Sequence, residues 1–232
     1  MSKIEFLPGP HIYVNKETGH HYTSVTQFIH KFVPPFDEDG LSKRKAAQLG
    51  ISQEEVLKMW REANKTACKY GTEVHAIMED YIKDKVILPE YQSLYDSFNE
   101  ILAEDLKWTK ELKSEEIIYN DEYEICGTSD LIIDYKNGEF AVGDFKTNKN
   151  FEYCSKYESY LNTPVNHLAN CQHNIYALQL SLYAYFYSLL TGKVCRKVFL
   201  LYKVDDKWTY IPCNYMQFEV RAMLLQSKNL LK

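Results

Sequence analysis

The chain centres on a predicted β-hairpin in residues 125–146, whose sequence is ICGTSDLIIDYKNGEFAVGDFK. Two runs within it, 131–133 and 140–142, are apolar and contain β-branched and aromatic residues, which is typical of strands. Asn137-Gly138 lies between them, and an Asn-Gly pair flanked by apolar runs is a strong indication of a hairpin. The segment therefore predicts two antiparallel strands joined by a tight turn.

The length of that turn decides which side chains share a face of the hairpin. A two-residue turn places Asp130 opposite Phe145, so that Asp130 and Asp144 point to opposite faces. A three-residue loop ending in a left-handed Gly138 places Asp130 opposite Asp144, with Lys146 on the same face because side chains alternate along a strand. Gly138 favours the three-residue loop. Two carboxylates and a lysine on one face need charge partners or a metal, because an unpaired buried charge is costly.

Composition restricts the class of protein. The 232 residues, with 45% hydrophobic and 25% charged side chains, are ordinary for one globular domain with a full core. The net charge of −5 argues against a general nucleic-acid coat protein but allows a basic cleft on an acidic surface. The 19 Tyr and 11 Phe are interpreted mainly as core, with base stacking as the alternative.

The cellular compartment is predicted from apolar runs and cysteines. No apolar run approaches the roughly 20 residues of a membrane span, and the opening MSKIEF has neither a signal-peptide core nor an Arg-rich transit pattern. The six cysteines are scattered without a CxxC pair, which favours free thiols over a disulfide framework or a zinc ribbon. We therefore expect a cytoplasmic protein that is not secreted and does not bind a membrane.

The N-terminal region predicts a small hairpin over residues 4–23, followed by a short helix that ends near Phe32. Thr23-Ser24-Val25-Thr26 stands at the start of this helix. Hydroxyl side chains cap the free N–H groups of a helix start, and such an end also receives phosphate groups. Capping is the preferred interpretation, and a nucleic-acid contact by Ser24 and Thr26 is the alternative.

Two successive helices are predicted in the region before the hairpin. The first, 53–69, starts at a Ser52–Glu55 capping box. It carries a stripe of basic residues, Lys58, Arg61, Lys65 and Lys69. A solvated face is the preferred interpretation of this stripe, and a contact with a nucleic-acid backbone is the alternative. The second starts at Gly71 and places His75 and Glu79 on one face, four residues apart. Alone, such a pair is more often a structural hydrogen bond than a pair of metal ligands.

The other predicted elements alternate helices with strands. A helix covers 91–108, a strand 115–123, a loop 147–166, a long helix 168–190, strands 197–204 and 208–212, and a closing helix 215–231. On the long helix, Gln179, Tyr183 and Tyr187 recur every four residues and share a stripe.

Four polar motifs occur in a fixed order along the chain. They are GTxxHxxxE at 71–79, GTSD at 127–130, DxK at 144–146 and QxxxY at 179–183. This order, with the outer two motifs on helices and the inner two on a hairpin, resembles the RecB-type branch of the PD-(D/E)xK nuclease superfamily over residues 70–190. The N-terminal hairpin followed by Thr-Ser-Val-Thr also resembles the phage and mitochondrial genome-maintenance single-strand DNA exonucleases of that branch.

The resemblance implies an α/β fold with a restriction-endonuclease-like core, in which helices flank a central mixed β-sheet, and with an N-terminal hairpin and a helical insertion. It implies one nuclease domain, 1–232, made of a possible helical gate at about 30–70, a catalytic core at 71–212 and a closing helix at 213–232. A bacterial or phage-encoded context follows from the same resemblance.

The resemblance also implies roles for single residues. His75, Asp130, Asp144 and the carbonyl of Phe145 would hold a divalent metal, and Glu79 would be a supporting residue or a ligand of a second metal. Lys146 would position or activate the attacking water, while Gln179 and Tyr183 would contact the DNA backbone or support the site. Hard oxygen ligands favour Mg²⁺ or Mn²⁺, and the histidine shifts the preference towards Mn²⁺.

One departure from part of the branch concerns iron. Some relatives hold an iron–sulfur cluster on one upstream and three clustered downstream cysteines, but here Cys171, Cys195 and Cys213 are about twenty residues apart. We therefore expect no iron–sulfur cluster.

The function expected from the resemblance is a divalent-metal-dependent DNA exonuclease. It would act on single-stranded DNA or strand ends, and a recombination or replication protein would be a further partner. A structure-dependent or nonspecific endonuclease of a recombination or repair complex is the alternative within enzymes. A non-catalytic nucleic-acid-binding module and a purely structural protein are the alternatives outside them.

Overall fold

The computed structural model of the protein describes residues 3–7, 12–155 and 158–230, without the side chains of residues 229 and 230. The described elements are β1 (Ile4–Leu7), β2 (Ile12–Asn15), β3 (His21–Ser24), α1 (Val25–His30), α2 (Glu38–Leu49), α3 (Gln53–Asp84), α4 (Gln92–Ile101), α5 (Ala103–Trp108), β4 (Thr109–Lys113), β5 (Glu116–Asn120), β6 (Ile125–Ser129), β7 (Leu131–Tyr135), β8 (Glu139–Lys146), α6 (Gln172–Thr191), β9 (Val194–Val204), β10 (Lys207–Cys213) and α7 (Gln217–Leu230).

The strands form two mixed sheets of five strands each, and helices flank them. The first sheet has the order β1-β2-β3-β6-β5, and its β3–β6 pair is parallel. The second has the order β10-β9-β8-β7-β4, and its β8–β9 pair is parallel. The predicted fold class, a mixed α/β fold with a mixed sheet between helices, is confirmed. In the described part of the chain, no helix is both long enough and apolar enough to cross a membrane.

The central hairpin has the three-residue loop. Leu131 pairs with Gly143 and Asp134 with Phe140, so the next position before β7, Asp130, falls opposite Asp144. Gly138 has a φ of +84°, in the left-handed region that glycine adopts without a steric penalty. The predicted register is therefore confirmed.

The segment 125–135 is not one strand, as the sequence predicts, but two. β6 pairs with β3 and β5 in the first sheet, whereas β7 pairs with β4 and β8 in the second. Asp130 lies between them, at the point where the chain passes from one sheet to the other. This placement frees the Asp130 backbone from either ladder and directs its side chain into the junction.

Both faces of the second sheet are covered, so its strands alternate between two apolar clusters. Ile132, Val142 and Val198 pack with α6 on one face. Leu131, Ile133 and Phe199 pack with α3 and α4 on the other. Burial of these side chains on both faces provides the main stabilisation of the sheet, because apolar area is removed from water.

The sequence predicts two helices separated near Tyr70, but the structure has one continuous helix, α3, in this region. It is a single helix of 32 residues from the Ser52–Glu55 capping box, which is present as predicted, to Asp84. Gly71 lies inside it, where a β-carbon would stand 3.2 Å from the Thr147 hydroxyl. The glycine thus permits a close approach of the helix to the loop after β8 and does not end the helix.

Other elements also differ from the predictions, and the long helix α6 begins at Gln172 and not at residue 168. Residues 92–108 form α4 and α5, which meet at Leu102, and not one helix. Strand β4 was missed, because its sequence TKELK has only one apolar residue and pairs at the sheet edge. The predicted N-terminal hairpin is β2–β3, and β1 adds a third strand to it.

A buried ionic cluster lies at the turn end of the central hairpin. Asp134 has a side chain only 2% exposed, and its Oδ2 lies 2.6 Å from Lys193 Nζ and 3.6 Å from Lys113 Nζ. The Tyr187 hydroxyl of α6 donates to the same carboxylate at 3.0 Å. The two lysines and the tyrosine compensate the desolvation of the carboxylate and fix α6 to β7.

Candidate active site

Three potential metal ligands converge where the two sheets meet α3. His75 projects from α3, Asp130 stands between β6 and β7, and Glu115 precedes β5. One ligand atom of each lies within 4.8 Å of the others. They line a cavity of about 400 Å³ between α3 and the first sheet.

The backbone of β8 connects His75 to Asp130. Nε2 of His75 lies 3.0 Å from the carbonyl oxygen of Phe145, and Nδ1 lies 3.4 Å from Oδ2 of Asp130. The Phe145 N–H donates to that same Oδ2 at 2.8 Å. The imidazole, the carboxylate and the carbonyl are thereby fixed relative to one another.

Asp144 and Lys146 lie beside this group on the α6 face of β8. The Lys146 ammonium forms an ion pair with Oδ2 of Asp144, and both side chains are largely buried. Lys146 Nζ also lies 4.5 Å from the centre of the Tyr176 ring, a cation–π contact. Tyr176 was not among the predicted residues, although it lies three positions before Gln179 on the same helix.

The charges of this group shift its pKa values. Burial lowers the pKa of His75, but the charge and hydrogen bond of Asp130 and the charge of Asp144 outweigh burial and raise it to about 9. Burial raises the pKa of Asp130, but His75 and Lys146 outweigh it, so the net shift is downward. Asp130 is therefore the permanent anion of the site.

The remaining carboxylates shift in the other direction. Burial, with the charges of Asp130 and Glu79, raises the pKa of Glu115 to about 7. Burial and the charge of Asp130 also raise the pKa of Asp144. Burial lowers the pKa of Lys146, but Asp144 and Asp130 outweigh it and keep the ammonium protonated. The site therefore has a surplus of carboxylates that a cation would stabilise in their charged form.

The donor set fits a divalent cation. Glu115 and Asp130 offer carboxylate oxygens, His75 a ring nitrogen and Phe145 a carbonyl oxygen, all near one cavity. Carboxylate and carbonyl oxygens suit Mg²⁺ and Mn²⁺, and imidazole suits the transition metals better than Mg²⁺. The residues present can hold a metal ion.

The affinity of this site for Mn²⁺ is expected to rise with pH, because the cation competes with protons. With pKa values of about 7 for Glu115 and about 9 for His75, both residues are protonated below pH 7 and neither above pH 9. The logarithm of the binding constant should gain about two per pH unit below 7, about one between 7 and 9, and level off above 9. Calorimetric titration with Mn²⁺ across this pH range measures the binding constant. A binding constant that does not change with pH would contradict the assignment of Glu115 and His75 as metal ligands.

Glu115 was missed by the sequence analysis, where it was only the first residue of a predicted strand. It stands just before β5 with a φ of +54°, an uncommon conformation for a residue with a side chain. The Ser114 hydroxyl donates to the Asp130 carbonyl at 3.0 Å and holds this segment against the sheet junction. Such strain concentrates at functional sites, but no short motif marks it in the sequence.

Replacing Glu115 by Gln should weaken Mn²⁺ binding by at least about 10- to 100-fold, because losing a residue that only orients a metal ligand already costs that much, and the variant loses a charged ligand itself. The same calorimetric titration at pH 8 measures this. Glu116→Gln, one residue further on, makes the same chemical change and should bind Mn²⁺ like the unmodified protein. Equal affinities in all three proteins would remove Glu115 from the ligand set.

Glu79 and Phe145 have different positions relative to the convergent group. Glu79 lines the same cavity but pairs with Lys83, one turn along α3, and lies outside the group formed by His75, Glu115 and Asp130. Phe145 presents its carbonyl to His75, while its ring is buried on the α3 face of the sheet. The carbonyl predicted as a ligand therefore faces the site.

The predicted stripe on α6 lies largely inside the protein. Tyr183 is only 3% exposed, and a β-carbon on Gly127 would meet its ring at 2.8 Å. Gln179 is half-buried and donates to the Tyr183 hydroxyl at 3.4 Å. Of the two roles implied by the resemblance, support of the site fits the buried Tyr183, whereas contact with DNA does not.

The start of α1 is occupied by its own cap. The Ser24 hydroxyl accepts from the Gln27 N–H at 3.1 Å, and the Gln27 side chain accepts from the Ser24 N–H. Ser24 is buried and Thr26 is exposed. The preferred interpretation, capping, is confirmed for Ser24, and its hydroxyl is therefore engaged within the protein.

The basic stripe of α3 lies on the exposed half of that helix. Lys58, Arg61, Lys65 and Lys69 are all exposed. Residues on another face of the same turns line a large cleft next to Lys146. The stripe therefore borders this cleft from outside and does not line it.

No family model and no curated protein matches the chain. Among solved structures, it is similar to one named SSO0001, at 16% identity and a TM-score of 0.41, over 90% of this chain and 76% of that one. It is also similar to a protein of Eubacterium rectale described as a "Putative exonuclease", at 12% identity and a TM-score of 0.41, over 90% of this chain and 80% of that one. At these levels, neither likeness carries an argument about activity.

Proposed function

We propose that the protein is a divalent-metal-dependent deoxyribonuclease of the RecB-type PD-(D/E)xK superfamily, acting as an exonuclease on single-stranded DNA or strand ends. The observation that carries the proposal is the meeting of His75, Glu115 and Asp130 beside the buried Asp144–Lys146 pair. A metal ligand set next to a protonated lysine suits the hydrolysis of phosphodiesters. The four ordered motifs of the sequence support the same conclusion.

Each residue has a separate task in this proposal. His75, Glu115, Asp130 and the Phe145 carbonyl hold Mg²⁺ or Mn²⁺. Such an ion supplies Lewis acidity to the phosphodiester and makes water a better nucleophile at neutral pH. Lys146 places a positive charge where negative charge develops in the transition state. Asp144 keeps Lys146 charged and oriented through their ion pair.

Lys146 is proposed to act through its charge and not as a general base. Its pKa is raised, so the ammonium has no free lone pair at neutral pH. Tyr176 stacks under the ammonium and restricts its direction. The lysine is therefore preorganised to stabilise negative charge, which is the kind of interaction that most effectively lowers a reaction barrier.

The activity is tested on end-labelled linear and on closed circular single-stranded DNA, with Mg²⁺, Mn²⁺ or EDTA. Metal-dependent loss of the linear strand alone supports an exonuclease, and the labelled end gives its polarity. Cutting of the circle would instead support an endonuclease. DNA binding without cleavage under either metal would support a non-catalytic module.

The basic stripe of α3 is proposed to contact the DNA backbone. Replacing Lys58, Arg61 and Lys65 by Ala should reduce the dependence of binding on salt, by about 0.7 in the slope of log K against log[salt] for each lost contact to a single strand. Fluorescence anisotropy from 50 to 300 mM KCl, roughly the range in which such slopes are measured, gives the slope. An unchanged slope would mean that the stripe does not contact DNA and is a solvated face of the helix.

A matched control removes three exposed lysines at the other end of the hairpin. Lys107, Lys110 and Lys136 are exposed near its turn, away from Asp130 and Asp144. Their replacement by Ala changes the net charge equally but should leave the slope unchanged. The comparison therefore separates a local contact from a general effect of charge.

A further inference from the structure

The N-terminal half of α3 presents an apolar face that no other part of the described chain covers. In the C-terminal half, Val74, Met78 and Tyr81 pack into the core beneath the helix. Continuing the helical spacing back towards the N-terminus gives Met59, Ala63 and Ala67 on the same side, and these are exposed. The same face therefore continues past the edge of the sheet with small and apolar side chains, and there it forms one wall of a cleft.

The cleft has a volume of about 880 Å³, and the residue that follows the proposed catalytic lysine lines it. Its opposite wall is the loop that follows β8, and the first residue of that loop, Thr147, is the neighbour of Lys146. Gly71 brings α3 close to Thr147 at the inner end. A group bound in the cleft therefore lies adjacent to the site of the reaction.

The loop wall is rich in uncharged amides. Asn148, Asn150 and Gln172 line it, and the Asn148 amide donates to Gln172 Oε1 at 3.1 Å. Oδ1 of Asn148 is buried and has no donor among the described residues. Amides provide both donors and acceptors, which match the mixed donors and acceptors of a nucleobase edge.

The distribution of charge favours a base over a phosphate inside the cleft. Lys149 is accompanied there by Glu62 and Glu152, so the lining has no cationic surplus. Lys149 also lines the adjoining cavity of about 440 Å³ together with Lys203, opposite Asp205. Lys203 is paired with Asp206 at 3.2 Å and lies over the Tyr70 ring, whereas Lys149 is exposed and accessible to a backbone phosphate. The rest of the cleft is lined mainly by apolar and amide groups.

We propose that this cleft, between residues 59–70 of α3 and residues 147–152, receives an unpaired nucleobase next to the scissile phosphate. The proposal rests on the proposed nuclease function. Tyr70 and Met59 provide surfaces against which the flat base packs, and the amides of the loop bind its edge. A base in a duplex is stacked and paired and does not enter beneath the helix, so the cleft selects single-stranded DNA.

The test fills the cleft without touching the metal ligands. Ala67 is exposed and faces the cleft, so Ala67→Trp occupies its volume with little effect on folding. This variant should raise the KM for a single-stranded oligonucleotide about tenfold or more, because the stacking of one base contributes on the order of a tenfold gain in affinity. Hydrolysis of bis(p-nitrophenyl) phosphate with Mn²⁺, a diester without a base, should stay unchanged.

Ala47→Trp is the matched control, because Ala47 is exposed on α2 and lies outside the cleft. It should leave both substrates unaffected. Thr66→Trp, on the same face of α3, replaces Ala67→Trp if that variant does not fold. An unchanged KM for the oligonucleotide in the variant with the filled cleft overturns the proposal, and so does an equal loss on both substrates.

Failure of the nuclease proposal is distinguished by a binding measurement. If the unmodified protein cuts neither substrate, anisotropy with a labelled single strand in Ca²⁺ decides the role of the cleft alone. Affinity lowered by Ala67→Trp and not by Ala47→Trp supports the base site without catalysis. Equal affinities in all three proteins overturn it.

Discussion

Asp144→Asn should reduce DNA cleavage by at least about a thousandfold, the range observed when an essential charged group of an active site is removed. Asp144 is 3% exposed and forms the ion pair that holds Lys146. The amide has the same shape but no charge, so the lysine loses its orientation and the metal loses an adjacent anion. Time courses on end-labelled single-stranded DNA with Mn²⁺ measure the change.

Binding of the DNA itself should persist in this variant. The cleft and the basic stripe of α3 are built from other residues, so anisotropy with the same strand should give a dissociation constant close to that of the unmodified protein. Asp121→Asn is the control, because Asp121 pairs with Lys3 far from the site. Cleavage by Asp144→Asn at the unmodified rate would remove Asp144 from the reaction.

Lys146→Ala should lower the turnover number by roughly three orders of magnitude while KM changes little, because its charge acts on the transition state. The ammonium lies between Asp144 and the Tyr176 ring, and the alanine side chain leaves this position without a positive charge. Single-turnover cleavage with saturating enzyme measures the chemical step. Circular dichroism verifies that the fold is intact.

A second lysine provides the matched comparison. Lys197 on β9 pairs with Asp105 at 2.6 Å and is also partly buried, but it lies outside the candidate site. Lys197→Ala loses an ion pair of the same kind and should retain full turnover. If both variants were equally slow, the effect would come from the stability of the sheet and not from the reaction.

The hairpin could be predicted in detail because local rules determine it. Asn137-Gly138 specifies a turn, Gly138 suits a left-handed position, and the alternation of side chains then fixes the pairing of Asp130 with Asp144. All of this information lies within about twenty consecutive residues. The register found in the structure is the predicted one.

Other features depend on contacts between distant segments and could not be predicted in this way. The separation of β6 from β7 follows from pairing with β3, which lies about a hundred residues earlier. Helix α3 continues through Gly71, and the close approach that this glycine permits is to Thr147, about seventy-five residues later. Glu115 reaches the site through an unusual backbone conformation, and Tyr176 through the packing of α6, neither of which has a local sequence pattern.

The carboxylate of Asp134 has a consequence for searches that identify active sites by side-chain geometry. Asp134 with Lys193 and Tyr187 repeats the kind of grouping that Asp144 forms with Lys146 and Tyr176. The two tyrosines are eleven residues apart on α6, which is three helical turns and about 16 Å. A template of aspartate, lysine and tyrosine would therefore match this chain more than twice, because Asp105 also pairs with Lys197 and accepts a hydrogen bond from the Tyr135 hydroxyl. The group at Asp144 lies beside the convergent ligands described above, so the neighbouring donors, and not the trio, mark the candidate active site.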